Sequence, residues 1–249
     1  MSGEPQAGAE PGPDRDARRA AVAEDADCLG SRPELDELTR SYLAAQLAGD
    51  RREAVRLLME EGIGRGNSVI DLHLNVIQQA QREIGRLWEQ NTITVAQEHQ
   101  ATAVSQLALA HLYQQSIRRP AVGKSVLVAC VEGEMHDVGA RICADVLDLH
   151  GFDVRFLGAD VPTECLISFA ERTHPSLIAL SVTLPAYLPA AHAAVEALQA
   201  RTKIPIAVGG RALDEPGNRT GWDGVVIFGA DAMELLKAAR VALGVPDGA

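Results

Sequence analysis

The spacing of apolar residues changes character once along this chain, at Pro120-Ala-Val-Gly123. Before that point apolar residues recur at three- and four-residue steps. After it, short apolar runs of strand length alternate with stretches of helical spacing. One period cannot serve both elements, so the chain must build two different units, one on each side of residues 120–123.

In the first unit Leu35, Leu38, Tyr42 and Leu47 make one stripe, and Ala54, Val55, Leu57 and Leu58 begin a second. Ser68 with Asp71 three residues on marks a third start, leading into Ile77, Ala80, Ile84, Leu87 and Trp88. Asn91-Thr92-Ile93 breaks that run, and Thr94 with Gln97 is a capping-box pair that launches Val95 to about Ile117. Four helices over 33–119 predict a small four-helix bundle. Residues 1–32 are rich in Pro, Gly, Ala and charge with almost no large apolar side chains, which predicts a disordered leader.

In the second unit strands are expected at 125–131, 153–157, 177–182, 204–208 and 224–228. Helices are expected at 139–150, 163–173, 189–201 and 231–243. This alternation predicts an α/β, Rossmann-like domain over 120–249 with a five-stranded parallel sheet covered on both faces. A flavodoxin-like strand order 2-1-3-4-5 is expected.

Charge and composition exclude several function classes. A net charge of -11 argues against a nucleic-acid surface, which needs clustered Lys and Arg. The four cysteines show no zinc or redox spacing and read as reduced thiols. The uncharged stretch 176–195 is interrupted by Pro185, Pro189 and His192, so it does not read as a membrane span. No apolar signal segment opens the chain. These features predict a cytoplasmic protein without membrane contact.

Ligands in parallel sheets bind outside the carboxyl ends of the strands. His136 stands there, in the loop after the first strand with Glu134, Asp137 and Gly139. Ser181 and Thr183 follow the third strand, Gly209-Gly210 the fourth and Gly229 the fifth. A lone surface histidine is usually inert, and Ser and Gly are common in such loops. Four loops converging on one edge weigh against that reading. An imidazole there is free to ligate a metal, and glycines let backbone approach a bulky ligand.

The set Glu134-x-His136-x-x-Gly139, Ser181-x-Thr183 and Gly209-Gly210, with Gly151-Phe-Asp-Val and Gly158-Ala-Asp-Val-Pro162, resembles a known module. It is the cobalamin-binding module of methionine synthase, methylmalonyl-CoA mutase and corrinoid methyltransferase proteins, and the likeness spans about 120–245. The resemblance implies His136 as lower ligand to cobalt. It also implies a slot for the displaced nucleotide tail beside Ser181, Thr183, Gly209 and Gly210. That family usually has Asp two residues before the histidine. Here Glu134 takes that place as the carboxylate that orients the imidazole, with Asp137 the other carboxylate nearby.

The helical unit carries a second likeness. Trp88-x9-Glu98-His99 resembles the cap of CarH-type light receptors, which bind adenosylcobalamin. It implies Trp88, Glu98 and His99 as contacts on the upper cobalt face. Those receptors have a histidine after the tryptophan; this chain has Glu89, so a second histidine ligand after illumination would have to come from His99, His73 or His111, or be replaced by water. The chain is similar to standalone relatives, AerR-type antirepressors and photocobilins, the latter carrying a bilin beside cobalamin.

The resemblance therefore implies a non-enzymatic, adenosylcobalamin-dependent photoreceptor. It would be a homo-oligomer, dimer favoured, signalling to a protein partner such as a regulator or effector enzyme without touching DNA. Biliverdin or another bilin would be a second chromophore that no cysteine motif locates. The alternative is a corrinoid protein of a methyltransferase system carrying a methyl group on cobalt. A third reading is a B12 carrier without photochemistry.

Overall fold

Side-chain caps fix where the helical unit turns. The computed structural model describes residues 33–246, so the leader expected over 1–32 lies outside them. Helix α1 (Pro33–Ala48) is followed by α2 (Arg51–Arg56), which Asp50 caps by accepting from the Glu53 N–H. Helix α3 (Val69–Leu72) opens at Ser68, whose hydroxyl accepts from the Asp71 N–H at 3.0 Å. It runs on into α4 (Gln78–Glu89). Left-handed Asn91 turns the chain, and α5 (Val95–Tyr113) begins on the reciprocal Thr94–Gln97 capping box.

Two features of this unit have no signature in a 3.6-residue pattern. The second and third rods each contain a π-helical segment, Leu57–Gly62 and His73–Ile77. Gly62, at the end of the first, packs closely on α3: a Cβ there would lie 2.8 Å from Leu72 Cδ1, so the leucine would have to shift. The second segment buries His73 completely, and neither ring nitrogen has a hydrogen-bond partner. Burial, and then the nearby Arg141 charge, push its pKa down to about 4, so the imidazole is neutral.

The remainder is a five-stranded parallel sheet in the order β2-β1-β3-β4-β5. The strands are β1 (Ser125–Cys130), β2 (Asp153–Gly158), β3 (Leu177–Ser181), β4 (Ile206–Gly209) and β5 (Val226–Ile227). The strand order and fold class agree with the sequence expectation. The last two strands differ at their ends. Pro205 has no N–H for the ladder, and only Val226 and Ile227 pair with β4.

Between the strands run α6 (Val138–Leu149), α7 (Thr163–Thr173) and α8 (Leu188–Arg201), with α9 (Ala232–Leu243) after β5. One apolar core lies between the sheet and α7 and α8. The other runs unbroken from Leu35 and Tyr42 in the helical unit through Ile142 and Leu147 of α6 to Val128 and Ala179 of the sheet. The helices therefore stand on the α6–α9 face, above the carboxyl edge of the sheet.

Candidate functional site

β1 ends at Cys130, and the next residues make a tight turn on Gly133. Its φ is 86°, and a Cβ would lie 2.9 Å from the Tyr187 ring, so this position needs glycine. The turn folds Glu134 inward until its side chain is fully buried. A buried carboxylate needs several donors, and Glu134 has four contacts. Oε1 accepts from the His136 backbone N–H at 2.9 Å and pairs with His136 Nδ1 at 2.6 Å. Oε2 accepts from the N–H groups of Thr183 and Leu184 at 2.8 and 3.0 Å. One side chain thus fixes the ring and ties its loop to the loop after β3.

Burial works to raise the Glu134 pKa, but the His136 ring and the three backbone N–H groups outweigh it and hold the carboxyl below its ordinary range. The bond to Glu134 in turn raises the His136 pKa. With Nδ1–H directed at the carboxylate, the neutral ring keeps its lone pair on Nε2. That is the state a metal ligand needs.

Asp137 does not share this task. Its Oδ1 accepts from Gln106 Nε2 of α5 at 3.3 Å, and no bond joins it to the imidazole. The backbone turn sends the side chain of residue 137 toward the helices instead.

His136 lines a cleft between the sheet edge and the helical unit. The structure brings to that cleft Asp137, Gly139, Ser181, Thr183, Gly210 and Gly229 from the sheet side. From the helical side come Trp88, Glu98 and His99. Gly209 stands behind, with Phe228 against it. A Cβ on Gly209 would lie 2.1 Å from that ring, and one on Gly210 would lie 2.2 Å from the Val182 carbonyl oxygen. The glycine pair is thus demanded by close packing as well as by any ligand.

The helical wall follows from the amphipathicity of α4. Ala80, Ile84 and Leu87 are buried in the bundle. Gln78, Gln81, Arg82, Gly85 and Trp88 fall on the other side, toward the cleft. Trp88 remains 36% exposed, a large apolar surface with little against it.

On the first turn of α5, Glu98 accepts from the Thr102 hydroxyl at 2.8 Å and pairs with His99 Nδ1 at 2.5 Å. Gln81 Nε2 donates to Thr102 and Gln46 Nε2 to Gln81, so a polar chain holds Glu98 from inside the bundle. Spacing alone does not reveal this chain, since Gln46 and Gln81 lie far apart in sequence. Phe228, Arg211 and Cys143 also line the cleft; the first two stand just beyond strand ends and Cys143 lies within α6, and none had a sequence signal of its own.

The family model of the B12 binding domain matches residues 124–237, and a second B12 binding domain model matches 38–113. Trimethylamine corrinoid protein 1 of Methanosarcina acetivorans is 24% identical over 191 residues, covering 74% of this chain and 87% of that protein. The HTH-type transcriptional repressor CarA of Myxococcus xanthus is 34% identical over 120 residues, 47% of this chain and 41% of CarA.

Among solved structures, the monomethylamine corrinoid protein of Methanosarcina barkeri shares the fold, with a TM-score of 0.69 at 18% identity. The match covers 84% of this chain and 99% of that one. One B12 binding domain model thus lies over the helices and another over the sheet, which supports a B12-binding family for this chain.

Proposed function

We propose that this cobalamin-binding protein is a light-responsive sensor that holds adenosylcobalamin in the cleft, with His136 beneath cobalt and Trp88, Glu98 and His99 over the upper ligand. One observation carries the reading: the imidazole on its buried carboxylate and the Trp–Glu–His set line the same cleft from its two sides. The donor chemistry fits the cofactor. Among the described residues no three metal-binding side chains cluster. A single imidazole suits a metal that brings its other ligands with it, as cobalt does in a corrin. Ser181, Thr183, Gly209 and Gly210 are assigned to the nucleotide tail, and Gly139 and Gly229 to close backbone approach.

The bound cofactor would supply a light-sensitive cobalt–carbon bond. The chain's own contribution is to orient the His136 ring through Glu134, to shelter the upper ligand under Trp88, and to convert its loss into movement of α4 and α5. A protein partner and a homo-oligomer belong to this reading as the means by which such movement is passed on.

A second reading is favoured by the comparisons: a corrinoid protein carrying a methyl group for a methyltransferase. Trimethylamine corrinoid protein 1 aligns over most of its own length, whereas CarA aligns over less than half of its own. On relatives alone this reading stands ahead; the Trp88–Glu98–His99 set is what favours light sensing.

Light decides between them. Mixed with adenosylcobalamin in the dark, the protein is expected to give a histidine-ligated spectrum that green light changes, together with a change in hydrodynamic size. An inert spectrum and size under light would exclude the sensor. Preference for methylcobalamin, with methyl transfer in the presence of a methyltransferase, would establish the second reading.

A further inference from the structure

Helix α4 is tied to the sheet edge at both ends, by bonds of different kinds. At its start, Gln78 Nε2 donates to the Ala230 carbonyl at 2.7 Å in a part-buried position. Near its end, Glu89 Oε1 faces Arg211 Nη2 at 3.4 Å, and both side chains are 46% exposed. The two ties lie 11 residues apart, about 16 Å along the helix axis at 1.5 Å per residue. Arg211 reaches α4 over Gly85, one turn before Glu89, where a Cβ would lie 3.6 Å from its Nη1. Glu89 adjoins Trp88, Arg211 adjoins Gly210, and all four line the cleft, so the pair spans it from the helical side to the sheet side.

A neutral, sheltered hydrogen bond is little affected by salt, whereas an exposed ion pair is weak and screened. We propose that Glu89 and Arg211 form an ionic latch that holds the Trp88 end of α4 over the cleft, while the Gln78 end acts as the hinge. Glu89 is then a positioning residue that acts through α4 on Trp88 and not a stand-in for a cobalt ligand. The proposal rests on the reading of the cleft as the cobalamin site.

The test follows dark release of adenosylcobalamin on dilution, read by its spectrum, at low salt and at high salt. Wild type is expected to release it about three- to fivefold faster at high salt, the range an exposed pair of up to about 1 kcal/mol allows. Glu89→Gln and Arg211→Gln should each release at the fast rate at both salt concentrations. The charge exchange E89R/R211E should return to within about twofold of wild type and regain salt dependence.

An effect in Arg211→Gln alone would mean that the guanidinium touches the cofactor directly, and would overturn the latch. Single variants that release at the wild-type rate, or an exchanged pair that stays fast, would overturn it as well. A wild-type protein whose mixture with adenosylcobalamin shows no histidine-ligated spectrum would remove the underlying reading instead.

Discussion

At the scale of single residues, the site turns on the length of one side chain. A carboxylate two residues before His136 was legible in the sequence as the ring's partner. That its second oxygen would cross to the N–H groups of Thr183 and Leu184 was not, because those residues meet only through the β1–β3 pairing. Glu134→Gln keeps the volume but puts an amide among donors. It is expected to weaken adenosylcobalamin binding about 10- to 100-fold, as loss of an orienting carboxylate does, when titrated by absorption. Asp137→Asn, whose residue does not hold the ring, should change binding by less than about threefold in the same titration.

A second buried carboxylate carries a stability prediction. Asp145 is 5% exposed, with Arg141 Nε at 3.3 Å, and burial raises its pKa to about 6 despite that arginine. Its folded pKa is above the unfolded value, so its unfavourable contribution is absent at pH 3, grows as pH rises from about 4 towards 6, and is fully present above 6. Asp145→Asn should therefore stabilise the protein by about 1–3 kcal/mol at pH 7.5 and much less at pH 4, measured by urea unfolding at both. Equal effects at the two pH values would contradict the assignment.

Among elements, helix starts were more legible than helix interiors. Thr94 and Ser68 announce themselves because a capping side chain sits at a fixed offset from its N–H partner. The π segments at Leu57–Gly62 and His73–Ile77 do not, since an apolar stripe reads the same through one inserted residue. Strand ends in β4 and β5 were misplaced for a different reason: pairing stops where the neighbour stops, and apolar residues continue beyond it.

The cap of α5 also orients part of the site, because Glu98 and His99 lie on the turn it organises. Thr94→Ala should cost about 1 kcal/mol. In a chain of this size that corresponds to a fall in Tm of about 2–4 °C by calorimetry. With Glu98 and His99 on the upper wall, the same variant is expected to release adenosylcobalamin faster, whereas a purely structural cap would leave release unchanged.

For the whole molecule, the change of periodicity at 120–123 separates helical spacing from βαβ alternation; chain order alone does not fix strand order, and the flavodoxin-like order expected agrees with the one observed. How the units meet was not legible. The continuous core through Tyr42, Ile142 and Val128 depends on contacts between residues distant in sequence. The helical side chains consequently face the sheet edge across a cleft, and the site belongs to neither unit alone. Among the described residues no helix is long and apolar enough to cross a membrane.

The central claim, that one imidazole on the sheet edge holds a cobalamin beneath the helices, is tested most directly by one comparison of dark absorption spectra. Wild type and His136→Ala are each mixed with adenosylcobalamin. Wild type is expected to give a histidine-ligated spectrum and His136→Ala to lose it, with the fold intact by circular dichroism. Identical spectra from the two proteins would contradict it.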